Sequence, residues 1–310
     1  MRVCLIIAVL TALCGGCAGR GRAVAAAGVW VARLSGMEAE DDLTRLREAF
    51  VRRNPGYDLA YHPSLDSLTA ERGARVLFVQ SGKAQAKVAA TSSEIDVGDI
   101  VVLRIGETLS VRPPIAALVF RVPAAPPDDL PTFIRPDWDP QITDTPGGCA
   151  TEEGAYRRIL LTWQKKNGPY IYHAINAHRV RITDSFTHYH PLQGGFDEFY
   201  LVQMVQRDAS LITSCQVDKI TAPESVARSD VTSLLEFHKL AVGDLVYMPR
   251  GTAHRGLGGV LAQVISVPGF RPNAEIGVDH HLVAINDRLG LTGDAALPYN
   301  AQASLKAVVK

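Results

Sequence analysis

Two blocks of this 310-residue chain repeat one another, and that repeat limits the fold more than any other feature of the sequence. In the first block Gly98-Asp99 precedes the apolar run Ile100-Val101-Val102-Leu103, and Gly106 follows. In the second, Gly243-Asp244 precedes Leu245-Val246-Tyr247-Met248, and Gly251 follows at the same offset. Upstream, Leu77-Phe78-Val79-Gln80 matches Tyr200-Leu201-Val202-Gln203. Two matches in the same order argue for a duplicated strand–turn–strand unit. The interval from Val79 to Gly98 is 19 residues and that from Val202 to Gly243 is 41, so the second copy carries an insertion, assigned to the polar segment Asp218 to Asp230.

Composition narrows the function. Hydrophobic residues at 47% and charged residues at 21% exclude general disorder. Thirty-two basic residues balance 32 acidic ones, and no basic stripe stands out, which argues against a nucleic-acid partner. No apolar run reaches the roughly 18 residues of a membrane-spanning helix. Eighteen Pro and 26 Gly favour strands joined by turns. Met37 to Arg53 reads as an amphipathic helix with Leu43, Leu46 and Phe50 on one face. Short β-type runs follow at 76–79, 100–103 and 117–120, separated by Gly or Pro. The Pro123–Pro127 stretch marks a boundary, and the second β-rich block runs from Ile159 to about Pro268. The expected domains are 37–125, a linker at 126–158, 159–275, and an extension at 276–310 in which no strong pattern is visible.

Residues 1–22 read as a leader. Arg2 precedes an uncharged stretch with an apolar centre from Val3 to Leu13, too short to span a membrane. Gly15 and Gly16 stand directly before Cys17, which resembles a bacterial lipoprotein signal, although Cys14 occupies the place where leucine is usual. Ordinary secretory cleavage near Ala23-Val24-Ala25 is the alternative. The expectation is export, to the periplasm or to a lipid anchor at Cys17 on the cell envelope. Cys149 and Cys215 then remain in the mature body, either as one disulfide or as two thiols.

Two pieces carry chemistry. In His188-Tyr189-His190 the two histidines point to one face of a strand, because the strand period is two, and neutral imidazoles there can share a metal ion. Glu198 opens the next apolar run; if it faces inward with Tyr200 and Val202, Asp197 faces out. Aligning the repeats places Glu198 where the first copy has Arg75. The second piece is Gly243-x5-Pro249-x-Gly251-x2-His254, in which Pro249 and Gly251 shape a turn that delivers His254 on the returning strand. Three histidines and one carboxylate suit one divalent ion: Fe, Mn, Ni or Zn.

These residues resemble the cupin family, jelly-roll barrels with two metal-binding motifs. Gly243, Pro249, Gly251 and His254 match the family's second motif in full. In the first motif His188 and His190 fit, but seven residues separate His190 from Glu198, and Val205 stands where the motif has glycine. Glu198 is therefore the least certain ligand, with Asp197 its rival. The resemblance covers roughly 74–122 and 159–268 and implies an all-β bicupin, two jelly-roll barrels with a few short helices. In the first copy Leu109 replaces the motif histidine and Arg104 the proline, which implies a metal-free barrel with a structural or dimerising role.

Other polar residues have simpler readings. Arg255 is expected at the surface, and Trp30, Trp138 and Trp163 in core or boundary packing. On a strand, the adjacent His280-His281 beside Asp279 would point to opposite faces, which disfavours a second metal site. His173 and His178 lie on strands leading toward the metal. Family resemblance leaves the activity open among a dioxygenase, a sugar-type isomerase or lyase, and a non-catalytic binder of small molecules or carbohydrate. A metal-dependent enzyme with a small polar organic substrate is the leading expectation.

Overall fold

The computed structural model describes residues 28–35, 39–148, 150 and 155–310. The leader, Cys17 and Cys149 lie outside the described residues. The chain begins with β1 (Trp30–Arg33) and α1 (Ala39–Arg53). A seven-stranded sheet then forms from β2 (Asp58–Thr69), β3 (Ala74–Ser81), β4 (Ala84–Val88), β5 (Thr91–Ile95), β6 (Ile100–Leu103), β7 (Thr108–Val122) and β8 (Phe133–Ile134). The second sheet takes β9 (Arg157–Leu161), β10 (Asn176–Asp184), β11 (His188–Tyr189), β12 (Asp197–Val205) and β13 (Ser210–Ser214). The one-turn helix α2 (Val217–Ile220) opens the segment read as an insertion, Asp218 to Asp230, and a second one-turn helix, α3 (Val231–Leu234), follows directly after it. Strands β14 (Glu236–Lys239), β15 (Asp244–Met248), β16 (Ala253–Val267) and β17 (Ile276–Gly277) complete the second sheet, and α4 (Asp279–Leu289) follows. The architecture is all-β, two curled antiparallel sheets with few and short helices. In the last forty residues, where the sequence shows no pattern, the chain forms both β17 and α4.

The two sheets share one register. Strand β3 faces β6 with Phe78 opposite Ile100 and Arg75 opposite Leu103. Strand β12 faces β15 with Leu201 opposite Leu245 and Glu198 opposite Met248, the same pairing transposed. Strands β7 and β16 correspond likewise, since Val79 faces Ala117 and Val202 faces Ala262. Each copy also repeats a local hydrogen bond, from Gly98 N to Val79 O and from Gly243 N to Val202 O, both 3.0 Å. Gly98 and Gly243 sit at φ +94° and +88°, a region only glycine enters without strain.

Equivalent glutamines join the barrels. Gln80 Nε2 donates to Val202 O at 2.8 Å, and Gln203 Nε2 donates back to Val79 O at 3.3 Å. This reciprocal exchange follows from a pseudo-twofold relation between copies, which brings the same edge of each against the other. Around it lies a shared core in which Phe50 of α1 meets Phe120, Phe199 and Tyr247 edge to face at 5.1–5.9 Å. Such pairs add about 0.5–1.5 kcal/mol each beyond their buried area. Helix α1 thus buries Leu46 and Phe50 against both barrels, while Leu43 is only partly covered. Strand β1 crosses over to pair with β15 of the second sheet.

The barrel interiors differ. Leu77, Val79, Val101, Leu103, Leu109, Ala117 and Val119 fill the first with apolar side chains. Leu109, fully buried, occupies the register position that His254 holds in the second. The second barrel has an apolar floor of Val180, Ile182, Tyr200, Val202, Val246, Val260 and Val264, and its polar residues lie above it.

Candidate metal centre

Local geometry brings three histidines to one point. His188 on β11 lies directly opposite His254 on β16. Their ring centroids are 4.3 Å apart, and His190 is 5.3 Å from His188 and 5.2 Å from His254. The Pro249–Thr252 turn delivers His254: Thr252 N donates to Pro249 O at 3.1 Å, and Gly251 takes φ +91°. Gly251 N also donates to His190 O at 2.7 Å, which ties the turn to the other histidine segment. A Cβ at Gly251 would meet only the exposed Leu192 side chain, which can move aside, so it is the positive φ that calls for glycine.

Tautomers follow from the partners. His188 Nδ1 lies 3.1 Å from Phe186 O, and His254 Nδ1 lies 3.3 Å from Thr252 O. A carbonyl only accepts, so each Nδ1 carries a proton, which leaves the Nε2 lone pair of a neutral ring free for a metal. The Nε2 atoms of His188, His190 and His254, together with Glu198 Oε1, are buried without a hydrogen-bond partner. Glu198 Oε1 is 3.3 Å from His254 Nε2, and its Oε2 is 3.8 Å from His190 Nε2. Four buried acceptor atoms converging without donors would cost several kcal/mol unless a cation stood among them. Burial, and then the neighbouring His254, hold His188 and His190 well below the ordinary imidazole range, the state a metal ligand needs. Phe186 stacks on His188 at 4.4 Å and Phe196 on His190 at 3.8 Å, which fixes both ring planes.

Asp197 faces the other way. It is fully buried beneath α1, accepting from Asn54 Nδ2 at 2.6 Å, Tyr247 OH at 2.7 Å and Arg250 N at 2.9 Å. The Arg250 guanidinium adds a contact at 3.0 Å and that of Arg53 one at 3.8 Å. Alternation along β12 makes Asp197 the joint between helix and barrel and leaves Glu198 beside the histidines.

A cavity of about 310 Å³ opens beside this cluster, lined by Glu198, His178, Ser266, Trp163, Phe270 and Glu275 among others. Trp163 stacks on Phe270 at 4.0 Å, and Phe270 approaches Phe196 at 5.2 Å, forming an aromatic wall. Trp163 therefore lines a cavity where packing alone was expected. His178 turns its buried, unpartnered Nε2 toward this space. Glu275, just before β17, brings a carboxylate oxygen within 4.8 Å of ligand atoms on His190 and Glu198. Nothing in the sequence marks Glu275, because pairing of β17 with β11 brings it in from outside both motifs.

In the metal-free chain the Glu275 carboxyl is pushed up to about 7, first by burial and then by the charge of Glu198. Its ordinary value is 4.5, so the folded state holds the proton more tightly than the unfolded state. Ionisation then opposes folding by about 1–3 kcal/mol above pH 7, and the penalty vanishes toward pH 4.5. With chelator present, Glu275→Gln is expected to raise Tm by a few degrees at pH 8 and to leave it unchanged at pH 4.5. Thermal unfolding at the two pH values decides, and an equal gain at both would contradict this account.

Other expectations are corrected. Arg255 is buried, with Nε 2.9 Å from Asp184 Oδ1 and 3.0 Å from Ser185 O, so it braces the turn into β11. Trp138 is 64% exposed. His280 and His281 lie on α4, a helix and not a strand. Asp279 in its first turn accepts from Thr187 N at 2.7 Å and Thr187 Oγ1 at 2.6 Å, which anchors the strand carrying His188.

No family model matches the sequence, and no curated protein matches it. Among solved structures, a mutant oxalate decarboxylase from Bacillus subtilis is 11% identical, with a TM-score of 0.46 over 82% of this chain and 81% of that one. A Lactobacillus farciminis oxalate decarboxylase formate complex is 15% identical, TM-score 0.47, over 81% and 90%. A cupin 2 conserved barrel domain protein from Leptotrichia buccalis is 10% identical, TM-score 0.41, over 69% and 85%. Likenesses this distant carry no argument about chemistry; the strand pairing and the side chains above carry it.

Proposed function

We propose that the protein is an exported bicupin whose second barrel holds one divalent metal through His188, His190, Glu198 and His254. We read it as a metalloenzyme acting on a small polar organic compound, of the dioxygenase or the sugar-type isomerase or lyase class. The observation that carries this reading is the convergence of ligand atoms of His188, His190 and His254, with Glu198 Oε1 3.3 Å from His254 Nε2, all buried without a hydrogen-bond partner. Imidazole with a single carboxylate suits Fe, Mn, Ni or Zn. When bound, such an ion would supply a Lewis acid beside the cavity. Around it, Glu275 is placed to hold or release a proton, His178 offers a neutral acceptor, and Trp163, Phe196 and Phe270 exclude water from one side. A non-catalytic binding barrel would use the same aromatic wall; the carboxylate of Glu275 at the cavity favours an enzyme.

The test is elemental analysis of the protein lacking residues 1–22 beside its His254→Ala variant. About one equivalent of metal in the first and loss in the second is expected; no metal in either after reconstitution overturns the reading. Export is tested apart from this by Cys17→Ala: a lipid-anchored protein leaves the membrane fraction, and unchanged partitioning removes the anchor.

A further inference from the structure

A cavity of about 600 Å³ lies in the first barrel, at the mouth above its apolar filling and under the flank of α1. Its position matches that of the cavity beside the metal centre in the second barrel, and one register position changes sign, Arg75 standing where Glu198 stands there. On β3 and β7, Arg75 and Arg121 are directly opposite cross-strand partners. The same register positions in the second barrel hold Glu198 and Ser266. Like charges directly opposite on a sheet destabilise it. Arg75 turns Nη1 to the carbonyl of Arg72 at 2.7 Å, and burial together with Arg121 lowers its pKa from the ordinary guanidinium value.

The nearest carboxylate, Asp58, is shared among the arginines and is hydrogen-bonded to another of them. Asp58 receives a two-pronged contact from Arg47 of α1, at 2.6 and 2.8 Å. Arg121 makes a longer ion pair with Asp58 at 3.8 Å and no hydrogen bond to it. Glu40 is the other acid on the wall, and His62 is held below the ordinary imidazole value by burial. Three guanidiniums thus face two carboxylates, leaving a surplus of one positive charge. Leu43, Leu68 and Tyr61 supply apolar surface beside it.

We propose that this mouth is a binding site for a small organic monocarboxylate with an apolar body, its carboxylate bridging Arg75 and Arg121. The planar guanidinium fork matches a carboxylate in shape and in charge-assisted hydrogen bonding. The volume suits a small ligand. A bound anion would relieve the repulsion of the cross-strand arginines, and the apolar wall would take the rest of the molecule. The first barrel is then a ligand-binding copy. This site is independent of the metal assignment, so either can fail alone.

The experiment is calorimetric titration of the purified protein with hexanoate and with benzoate, using hexanamide as the uncharged control. One equivalent of carboxylate is expected to bind, and hexanamide about 10- to 100-fold more weakly. Arg121→Ala and the Arg75→Ala/Arg121→Ala pair are expected to lose affinity by a similar factor, and His254→Ala to leave it unchanged. Saturating hexanoate should raise Tm of the parent protein and leave that of the double variant unmoved. No binding of either carboxylate, equal binding of hexanamide, or binding retained in the double variant overturns the proposal. Loss of binding in His254→Ala also overturns it, since it would place the anion at the metal centre. The amide comparison needs no variant, so the proposal stays testable even if an arginine substitution unfolds the barrel.

Discussion

Asp197→Ala is expected to destabilise the protein by about 3–5 kcal/mol, the cost of breaking a buried ion pair by removing one partner. The carboxylate is fully buried, and the Arg53 and Arg250 side chains around it are each 18% exposed. Without it, two guanidiniums face each other across the joint between α1 and the second barrel. Asn54 Nδ2 and Tyr247 OH lose their shared acceptor, Asp197 Oδ2, as well. Asp197→Asn preserves the shape and keeps an acceptor, so it should cost less than alanine but still leave the arginines uncompensated. Urea denaturation at pH 7 measures both. A loss below about 1 kcal/mol for alanine would mean that the arginines find water, as surface pairs do, and that the joint is not the dry contact described here.

The second large effect is linkage between metal and stability. The donor cluster exists only in the folded chain, because β11, β12 and β16 come together only there. Free metal at a hundred times its Kd should therefore stabilise the protein by about 2.7 kcal/mol, and chelator should remove the gain. His254→Ala should abolish the response. The pH dependence follows from burial. With His188 and His190 held well below the ordinary imidazole range, protons compete with metal only at lower pH than free imidazole would suggest. Affinity is expected to hold from pH 8 through 6.5, where free imidazoles would already be losing metal, and to fall only at lower pH. A tenfold loss between pH 8 and 7 would contradict neutral, buried ligands.

Part of this was legible along the chain. The repeat and the Gly-Asp runs follow from local rules: strand period, turn glycines and apolar runs. Their transposed register is visible in Phe78 opposite Ile100 and Leu201 opposite Leu245. The amphipathic face of α1 was legible for the same reason, since Leu46 and Phe50 recur at helical spacing. His188, His190 and His254 could be picked out because their spacing within each segment is itself a local property.

What the sequence by itself determined, then, is that the repeated apolar runs form strands joined by glycine turns, and which of their side chains share a face; β8, β17 and α4 carried no such local signal. The sequence left Asp197 and Glu198 as rivals, because a strand read alone has two faces and no inside. The tertiary structure chose between them: pairing of β12 with β15 and β16 turned one carboxylate to the histidines and the other under α1. Only the fold brought Glu275 to the cavity through β17, and only the fold set Arg75 against Arg121. These are contacts between residues far apart in the chain, and long-range pairing, which no local pattern encodes, decides them.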